Sequence, residues 1–432
     1  MKSRNSSFLL TVLWALILSG IFSCDTANNV EDPDLHYFVK YYGGDGNQIG
    51  VDMLALNDGS FLLLGNSSEN DFDTDIYVVR VDSEGEVVWE RRFRQDITNA
   101  KDIEPTSDGN FIILSDFQAD IGSQTDLKLI KISPDGTMLD SVVFGSVAND
   151  YSRTVTLLDD GGFIVSGTTE LTRTWTDPNN PNPDLGDFFN YRFDQNLDQF
   201  SINQWSPISP GFGGQLDVAV KAIQKPGEFY VFGYSNGDLN ATNPNERLSL
   251  IYFKRGVTGT TSNEFSPGNV LNVNHTEIQF VQAVAPELGE GFIVIGTSQN
   301  NIGISEIFIA KMRDSLIFKN IQNDATLYNT IKLGRNIRGV SATSSIKGTL
   351  GYLALGNEVR STGALNIWIS KIDQGGNILW SSTFGSEAED DSGAAVCELP
   401  DGKIVILGTM WLADDQFKMA LIKLNPKGEL LK

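Results

Sequence analysis

Histidine and cysteine are almost absent from this chain of 432 residues, which contains two of each. The histidines are His36 and His275, far apart in the sequence. A zinc centre or a Ser-His-Asp triad needs more material than these two residues supply. We therefore expect structural or surface roles for both and no histidine-based catalysis.

Basic residues are scarce relative to acidic ones. Lys and Arg together number 32, Asp and Glu number 55, and the formal net charge is −23. A field of this sign repels phosphate backbones. We therefore expect an acidic, soluble surface and no nucleic-acid partner.

The apolar run near the N-terminus is short for a membrane-spanning helix. It extends over Phe8 to Phe22, 15 residues, whereas a spanning helix needs about 20. Lys2 and Arg4 precede it as a positive n-region. This order of elements is typical of a signal peptide.

The end of that run, Ile21-Phe22-Ser23-Cys24, resembles the lipobox of a bacterial lipoprotein, although Phe22 is bulkier than the usual residue. The resemblance implies a signal peptide at 1–23, a lipidated Cys24 and a linker at 24–34. Acyl chains would anchor the protein in the cell envelope, at the outer membrane or cell surface. The alternative is an ordinary secretory signal with a chance cysteine. With Cys24 acylated, Cys397 has no disulfide partner and is expected to be a small buried residue.

A repeat occupies the rest of the chain. Seven times an apolar residue, usually aromatic, is followed four positions later by a small one, and the small residues recur every 50 to 66 positions. A period in this range indicates one supersecondary unit copied side by side. The seven pairs are Phe61/Gly65, Phe111/Ser115, Phe163/Gly167, Phe229/Gly233, Phe292/Gly296, Tyr352/Gly356 and Ile404/Gly408.

Each unit is predicted to contain four strands. The third lies at Ile76 to Val81 in the first unit and at Leu248 to Phe253 in the fourth, and the fourth strand tends to end in an aromatic residue, which is Trp205 in the third unit and Phe265 in the fourth. An Asp-Gly turn, as in Asp58-Gly59, joins the first two strands and favours a hairpin. Four antiparallel strands in each of seven units predict an all-β fold at 35–432, a seven-bladed β-propeller. An open β-solenoid is the alternative. The third strand has a basic residue at its fifth position, expected to pair with a neighbouring acid or carbonyl, in six copies: Arg80, Lys131, Arg192, Lys311, Lys371 and Lys423.

The last repeat stops nine residues after Lys423, before its fourth strand. Residues 35–43 match the fourth strand of other repeats, such as the segment from Leu379 to Gly385. We therefore predict that the N-terminal segment supplies the outer strand of the last blade, at 394–424, and closes the ring. Closure would remove an open sheet edge.

The combination of strand, Asp-Gly turn, Gly-Thr/Asn and aromatic-Gly-Ser elements resembles bacterial SBBP-type propeller repeats over about residues 35–432. The resemblance implies the propeller fold and says little about function.

Function is expected on the side of the ring that carries the longer, more acidic loops, since variable loops on a rigid scaffold usually hold binding residues. One of these loops contains an insert from Thr172 to Asp187 with a Trp suited to contact a sugar or protein. The predicted ligand-binding residues are Asp71, Asp73, Asp75, Trp175, Glu389, Asp390 and Asp391.

Two short motifs suggest other chemistry. Gly233 to Gly237 matches the Gly-x-Ser-x-Gly pattern but lies at a strand end, without the strand-to-helix turn that a nucleophile needs. Asp71 to Asp75 resembles the start of a calcium loop, but Ile76 stands where that loop requires glycine. We expect no cofactor, and Ca²⁺ remains an alternative.

These observations predict a monomeric, non-enzymatic binding module whose partner is a protein or a glycan. The alternative is an extracellular carbohydrate-active hydrolase or lyase that uses a pair of carboxylates on the long-loop face.

Overall fold

The computed structural model describes residues 37–69, 74–94, 97–170, 187–200, 217–235, 249–256, 278–286, 291–299, 305–312, 331–386, 389–412 and 416–430. The strands in these ranges form seven antiparallel sheets, five with four strands and two with three. The fold is an all-β propeller, which confirms the predicted class. No described helix is long and apolar enough to cross a membrane.

The sheets follow one another along the chain, and we number them 1 to 7. Sheets 1 to 3 contain β2 (Asn47–Ala55), β3 (Phe61–Ser68), β4 (Thr74–Val81) and β5 (Val87–Phe93); β6 (Ile97–Pro105), β7 (Phe111–Gln118), β8 (Asp126–Ile132) and β9 (Met138–Phe144); and β10 (Asp150–Leu157), β11 (Phe163–Thr169) and β12 (Asp187–Phe193).

Sheets 4 to 7 repeat this order, and the last one also takes in the N-terminal strand. They contain β13 (Asp217–Lys225), β14 (Glu228–Ser235) and β15 (Ser249–Gly256); β16 (Ile278–Pro286), β17 (Phe292–Gln299), β18 (Ser305–Met312) and β19 (Ile331–Arg335); β20 (Ile337–Ser345), β21 (Gly351–Val359), β22 (Leu365–Asp373) and β23 (Ile378–Phe384); and β24 (Ser392–Glu398), β25 (Ile404–Leu412), β26 (Gln416–Leu424) and β1 (Phe38–Tyr42).

Sheets 3 and 4 have three described strands each, where the sequence predicts four. The predicted ends of their fourth strands, Trp205 and Phe265, lie outside the described residues.

The N-terminal strand β1 pairs antiparallel with β26, with Phe38 opposite Lys423 and Tyr42 opposite Met419. Further contacts connect this last sheet with sheet 1. The backbone N–H of Gly50 donates to Thr409 Oγ1 at 3.0 Å.

The second strand of each sheet is apolar on both faces. Phe61, Leu62, Leu63 and Leu64 of β3 are all buried because the sheet packs between two neighbours. A strand covered on both sides reads as a continuous apolar run rather than an alternating one. Leu63 packs in a cluster shared with sheet 7, whereas Leu62 and Leu64 pack in a cluster shared with sheet 2.

The recurring basic residues of the third strands pair as predicted. Arg80 donates to Asp58 Oδ2 at 2.7 Å and to the carbonyl oxygen of Pro134 in the next sheet. Lys131 likewise donates to Asp108 Oδ2, and Lys423 to the carbonyl oxygen of Ser83. Arg80 and Lys423 thereby connect neighbouring sheets, and Lys131 does so through the carbonyl oxygen of Gln195, which is an architectural role. The side chain of Lys311 lies outside the described residues.

Candidate functional site

The first strands of the sheets are β2, β6, β10, β13, β16, β20 and β24. Each of them contacts the first strand of the next sheet, and β24 contacts β2. In a propeller the blades surround a central channel, so side chains from these strands can meet at its axis.

Every first strand has a register shift at the same place. In β2 it falls between Gly50 and Asp52, and in β6 between Ala100 and Asp102. A β-bulge re-aims the side chains around it. The residues directly after the seven shifts are Asp52, Asp102, Thr154, Lys221, Ala283, Ser341 and Ala395.

Charged side chains from three first strands, with a threonine from a fourth, meet at this level. We call Asp52, Asp102, Glu104, Thr154 and Lys221 the axial cluster. Asp102 is buried, and its Oδ2 atom accepts from Thr154 Oγ1 at 2.7 Å and from the backbone N–H of Val155 at 2.8 Å.

Lys221 connects the two acids of β6. Its Nζ atom lies 3.5 Å from Asp102 Oδ2 and 3.8 Å from Glu104 Oε1, although these residues belong to sheets 4 and 2. The Lys221 side chain is 34% exposed, whereas that of Asp102 is 6% exposed. The ammonium group of Lys221 in sheet 4 therefore reaches two carboxylates of sheet 2 that are less exposed than the lysine itself.

Asp52 faces Asp102 from sheet 1, and its Oδ2 atom accepts from the backbone N–H of Ile103 at 3.2 Å. Burial raises the pKa of Asp52 well above its ordinary value. The Asp102 charge and a hydrogen bond between the two carboxyls raise it further, against the effect of Lys221. A carboxyl that is buried beside another carboxyl holds its proton more tightly than one in water, because its charged form is disfavoured.

The pKa values of Glu104 and Lys221 are both raised, which favours the neutral form of Glu104 and the charged form of Lys221. Burial raises the pKa of Glu104 to about 7, although the Lys221 charge opposes this. Burial lowers the pKa of Lys221, but the charges of Asp102, Glu104 and Asp52 outweigh it and the net shift is upward. The axial cluster therefore combines the cation of Lys221 with one carboxyl, that of Glu104, which can hold or release a proton near neutral pH.

The opposite side of the axis is built differently. Sheets 5, 6 and 7 present Ala283, Ser341 and Ala395 where the first four sheets present the larger residues of the axial cluster. These three side chains are small and carry no charge. The arrangement can accept a polar ligand group or transfer a proton to one.

None of the ligand-binding residues predicted from sequence is a member of the axial cluster, and three of them, Asp71, Asp73 and Trp175, fall outside the described residues. Asp75 is the second residue of β4 and pairs with the side chain of Arg94, whose Nε atom lies 3.2 Å from Asp75 Oδ2. Its carboxylate therefore already has a basic partner.

The other predicted acids, Glu389, Asp390 and Asp391, lie in the connection from β23 to β24. Asp390 Oδ1 accepts from the backbone N–H of Leu365 at 2.9 Å. Asp391 is buried, and its two oxygens accept from the backbone N–H groups of Ser386 and Trp411. Asp391 thus holds the aromatic-Gly-Ser turn in place, and ligand binding by this group of residues remains a prediction.

The remaining motifs stay apart from the axial cluster. Gly233, Tyr234 and Ser235 continue β14, while His36 and His275 lie outside the described residues. Among the residues that the structure describes, no three His, Cys, Asp or Glu side chains are grouped to hold a metal ion.

A protein-family model described as "Domain of unknown function (DUF5122) beta-propeller" matches residues 399–430. No curated protein matches the chain. A solved lectin, BP39L from Burkholderia pseudomallei, is 9% identical with a TM-score of 0.53, over 90% of this chain and 100% of the lectin. An alpha-L-arabinanase from Penicillium chrysogenum, solved with arabinobiose, is 11% identical with a TM-score of 0.47, over 76% of this chain and 94% of that one. At these identities the likeness to the lectin supports the propeller fold alone.

Sequence reasoning missed the axial cluster because its members are ordinary acids, a threonine and a lysine in four different repeats. A signal was nevertheless present. Asp52 and Asp102 occupy the same place in consecutive first strands, two residues after Gly50 and Ala100. An alignment of the first strands, rather than of the second and third, would have shown it.

Proposed function

We propose that this protein is a lipid-anchored lipoprotein of the cell envelope whose propeller binds a glycan or a protein. The axial cluster carries the binding proposal. Burying an ion costs several kcal/mol, and apolar residues of similar volume are often as stabilising or more so. Charged groups from three sheets at the axis of a repeat scaffold are therefore better explained by ligand binding than by stability.

A glycan is the favoured ligand. Sugar hydroxyls donate and accept hydrogen bonds, so they can pair with the carboxyls of Asp52 and Glu104 and with the ammonium of Lys221. The acidic long-loop face, with Trp175 and the acids at 71, 73 and 75, would contact the rest of the ligand or a protein partner.

A glycan array tests the proposal with the detergent-solubilised full chain and its Lys221→Met variant. We expect binding by the wild type and at least a tenfold loss in the variant, with Lys403→Met on the surface as the control of equal charge change. Equal binding by all three would remove the axial cluster from the site. A pull-down that recovers one protein partner instead would favour the protein ligand.

Hydrolysis or elimination on a polysaccharide is the second candidate, favoured by the raised pKa values of Asp52 and Glu104. One could supply a proton while the other removes one, since acid–base catalysts work best with pKa values near the working pH. Turnover of a polysaccharide that is abolished in Glu104→Gln would establish this activity and defeat the binding-module proposal.

We also propose that the seven sheets are the blades of one ring, closed by β1. The pairing of β1 with β26 and the hydrogen bonds from sheet 7 to sheet 1 support this proposal. Deleting residues 35–43 should then expose the edge of β26 and produce concentration-dependent association in analytical ultracentrifugation. A monomeric, equally stable truncated protein would contradict it.

The lipid anchor rests on the segment from Lys2 to Cys24. A Cys24→Ser variant should lose incorporation of labelled palmitate and leave the membrane fraction. Retention of both label and membrane association in this variant would remove the anchor from the proposal.

A further inference from the structure

The turns that follow β1, β9 and β23 each enclose a small polar position, and the turn after β1 in the seventh sheet shows what this position can hold. There the Nζ atom of Lys418 donates to Gln48 Oε1 at 2.9 Å, to the carbonyl oxygen of Gly46 at 2.6 Å and to that of Gly44. Lys418 is 8% exposed. A cation is thus held by three oxygens of the chain, beside Gly43 and at the end of β1.

Equivalent positions exist in other sheets. Lys418 lies near the start of β26, just before the apolar residues of that strand. Gln48 lies in β2 of sheet 1, two residues before Gly50 at the register shift. In sheet 6 and the start of sheet 7 these two places are occupied by Asn366 and Asp391. An amide and a carboxylate therefore replace the lysine and the glutamine.

Among the residues that the structure describes, neither Oδ1 nor Nδ2 of Asn366 has a hydrogen-bond partner, and the residue is 1% exposed. Buried polar groups are nearly always paired, so such an amide needs an explanation. Both Asn366 Oδ1 and Asp391 Oδ2 point at Gly385. A Cβ atom on this glycine would lie 2.9 Å from the former and 2.5 Å from the latter.

The charge at this position is also uncompensated. Asp391 accepts two backbone N–H groups but takes part in no ion pair among the described residues. Burial raises the pKa of its carboxyl, and the charge of Asp390 adds to the effect. A buried carboxylate without a countercharge is costly. At the equivalent position in sheet 7 the chain places a cation, the ammonium group of Lys418.

A similar pair lies between sheets 2 and 3. A Cβ atom on Gly145 would lie 2.6 Å from Asp126 Oδ1 and 2.8 Å from Asp150 Oδ2. In the position that contains the ammonium group of Lys418, the partner is the neutral amide of Gln48. In the other two positions, which contain no ammonium group, at least one carboxylate is present.

We propose that the position between Asn366 and Asp391 is a binding site for a hard metal cation of the Ca²⁺ class, which replaces the ammonium group that Lys418 supplies in sheet 7. Calcium takes carboxylate and amide oxygens, backbone carbonyls and water together. Asn366 Oδ1 and Asp391 Oδ2 would be its side-chain ligands here. This site is separate from the axial cluster and does not depend on the proposed ligand binding.

Isothermal titration of the chelator-treated full chain with CaCl₂ tests the proposal. We expect the number of calcium ions bound per chain to fall by one in Asn366→Lys, which brings its own ammonium, and in Asp391→Asn. In EDTA, Asn366→Lys should also melt at a higher temperature than the wild type, because its own ammonium group occupies the position of the missing cation. Asn377→Lys is the matched control, because it adds the same charge on an exposed turn of the same sheet.

Equal calcium stoichiometry in the wild type, Asn366→Lys and Asp391→Asn would overturn the proposal, as would a wild type that binds no calcium. If Asn366→Lys does not fold, the comparison of Asp391→Asn with the control decides alone. A failure here would leave glycan binding at the axial cluster untouched, because that experiment varies Lys221.

Discussion

The Nζ atom of Lys423 lies 2.5 Å from the carbonyl oxygen of Ser83, a residue 340 positions earlier in the chain. Lys423 belongs to the last sheet and Ser83 to the turn between β4 and β5 of the first. The Lys423 side chain is 4% exposed, so this hydrogen bond joins the two ends of the repeat array in a protected place.

Replacing Lys423 by Met should lower the free energy of unfolding by about 1–3 kcal/mol, because the Ser83 carbonyl loses its donor while staying covered. Chemical denaturation measures the loss. Lys403→Met is the control, since Lys403 pairs with the exposed Asp401, and pairs of that kind contribute about 0–1 kcal/mol. Equal effects of the two variants would show that the contact between the ends adds nothing.

Gly85→Ala should destabilise the protein more than Gly109→Ala. Both glycines have positive φ, +77° and +80°, so the backbone strain is matched. A Cβ atom at Gly85 would lie 2.7 Å from Cζ of Phe38 in β1, whereas a Cβ atom at Gly109 has nothing within 4 Å. We expect a difference of about 1–3 kcal/mol between the two unfolding free energies, the usual cost of overpacking. If the variants unfold alike, Phe38 does not pack firmly on this turn.

Leu197 occupies the turn position that glycine holds in sheets 1 and 2, with φ at 66°. Its side chain is buried beside Phe144 and Phe193. Leu197→Gly relieves strain but removes a buried side chain, and we expect a net loss of about 1–3 kcal/mol in unfolding free energy. Asn336→Gly, at φ 59° on the surface, should be neutral or stabilising. A stabilised Leu197→Gly would mean that the strain exceeds the packing.

Stability should fall as the pH rises from 5 to 8. The pKa of Glu104 is raised from 4.5 to about 7, and that of Asp52 is also raised. The folded state therefore holds these protons more tightly than the unfolded one. This contribution is complete below the unfolded-state pKa and is lost as the pH passes the folded-state value.

Over that interval we expect Glu104→Gln to remove about 1–3 kcal/mol of the pH dependence. Denaturation at a series of pH values measures it, with Asp140→Asn as the exposed control. An unchanged slope in Glu104→Gln would show that the Glu104 carboxyl is not held protonated by its surroundings.

Much of the fold was predictable from local patterns. The Asp-Gly turns, the apolar second strands and the third strands appear in the sequence at a nearly constant spacing. For example, the predicted strand from Ile76 to Val81 is observed as Thr74–Val81. In sheet 4 the prediction from Leu248 to Phe253 is displaced, since β15 is Ser249–Gly256. Local patterns succeed here because a strand and its turn are specified by neighbouring residues.

The candidate site was not predictable in the same way. Lys221 stands 119 positions after Asp102, and only the register of four first strands brings the two together. The bulge that re-aims these residues leaves no composition signal, because its residues differ between repeats. The acids of the long loops are easy to select from sequence because they are clustered along the chain, whereas the members of the axial cluster are dispersed over four repeats.

The repeated antiparallel unit and its turns follow from the amino-acid sequence alone, because hydrophobic period and turn chemistry act over a few residues, and the acidic character follows from the composition. Which polar groups lie close together depends on the three-dimensional fold: Asp102 with Lys221, Asn366 with Asp391, and Lys423 with Ser83. Those meetings depend on how neighbouring sheets pack, and packing between sheets relates residues that the local pattern treats as unconnected.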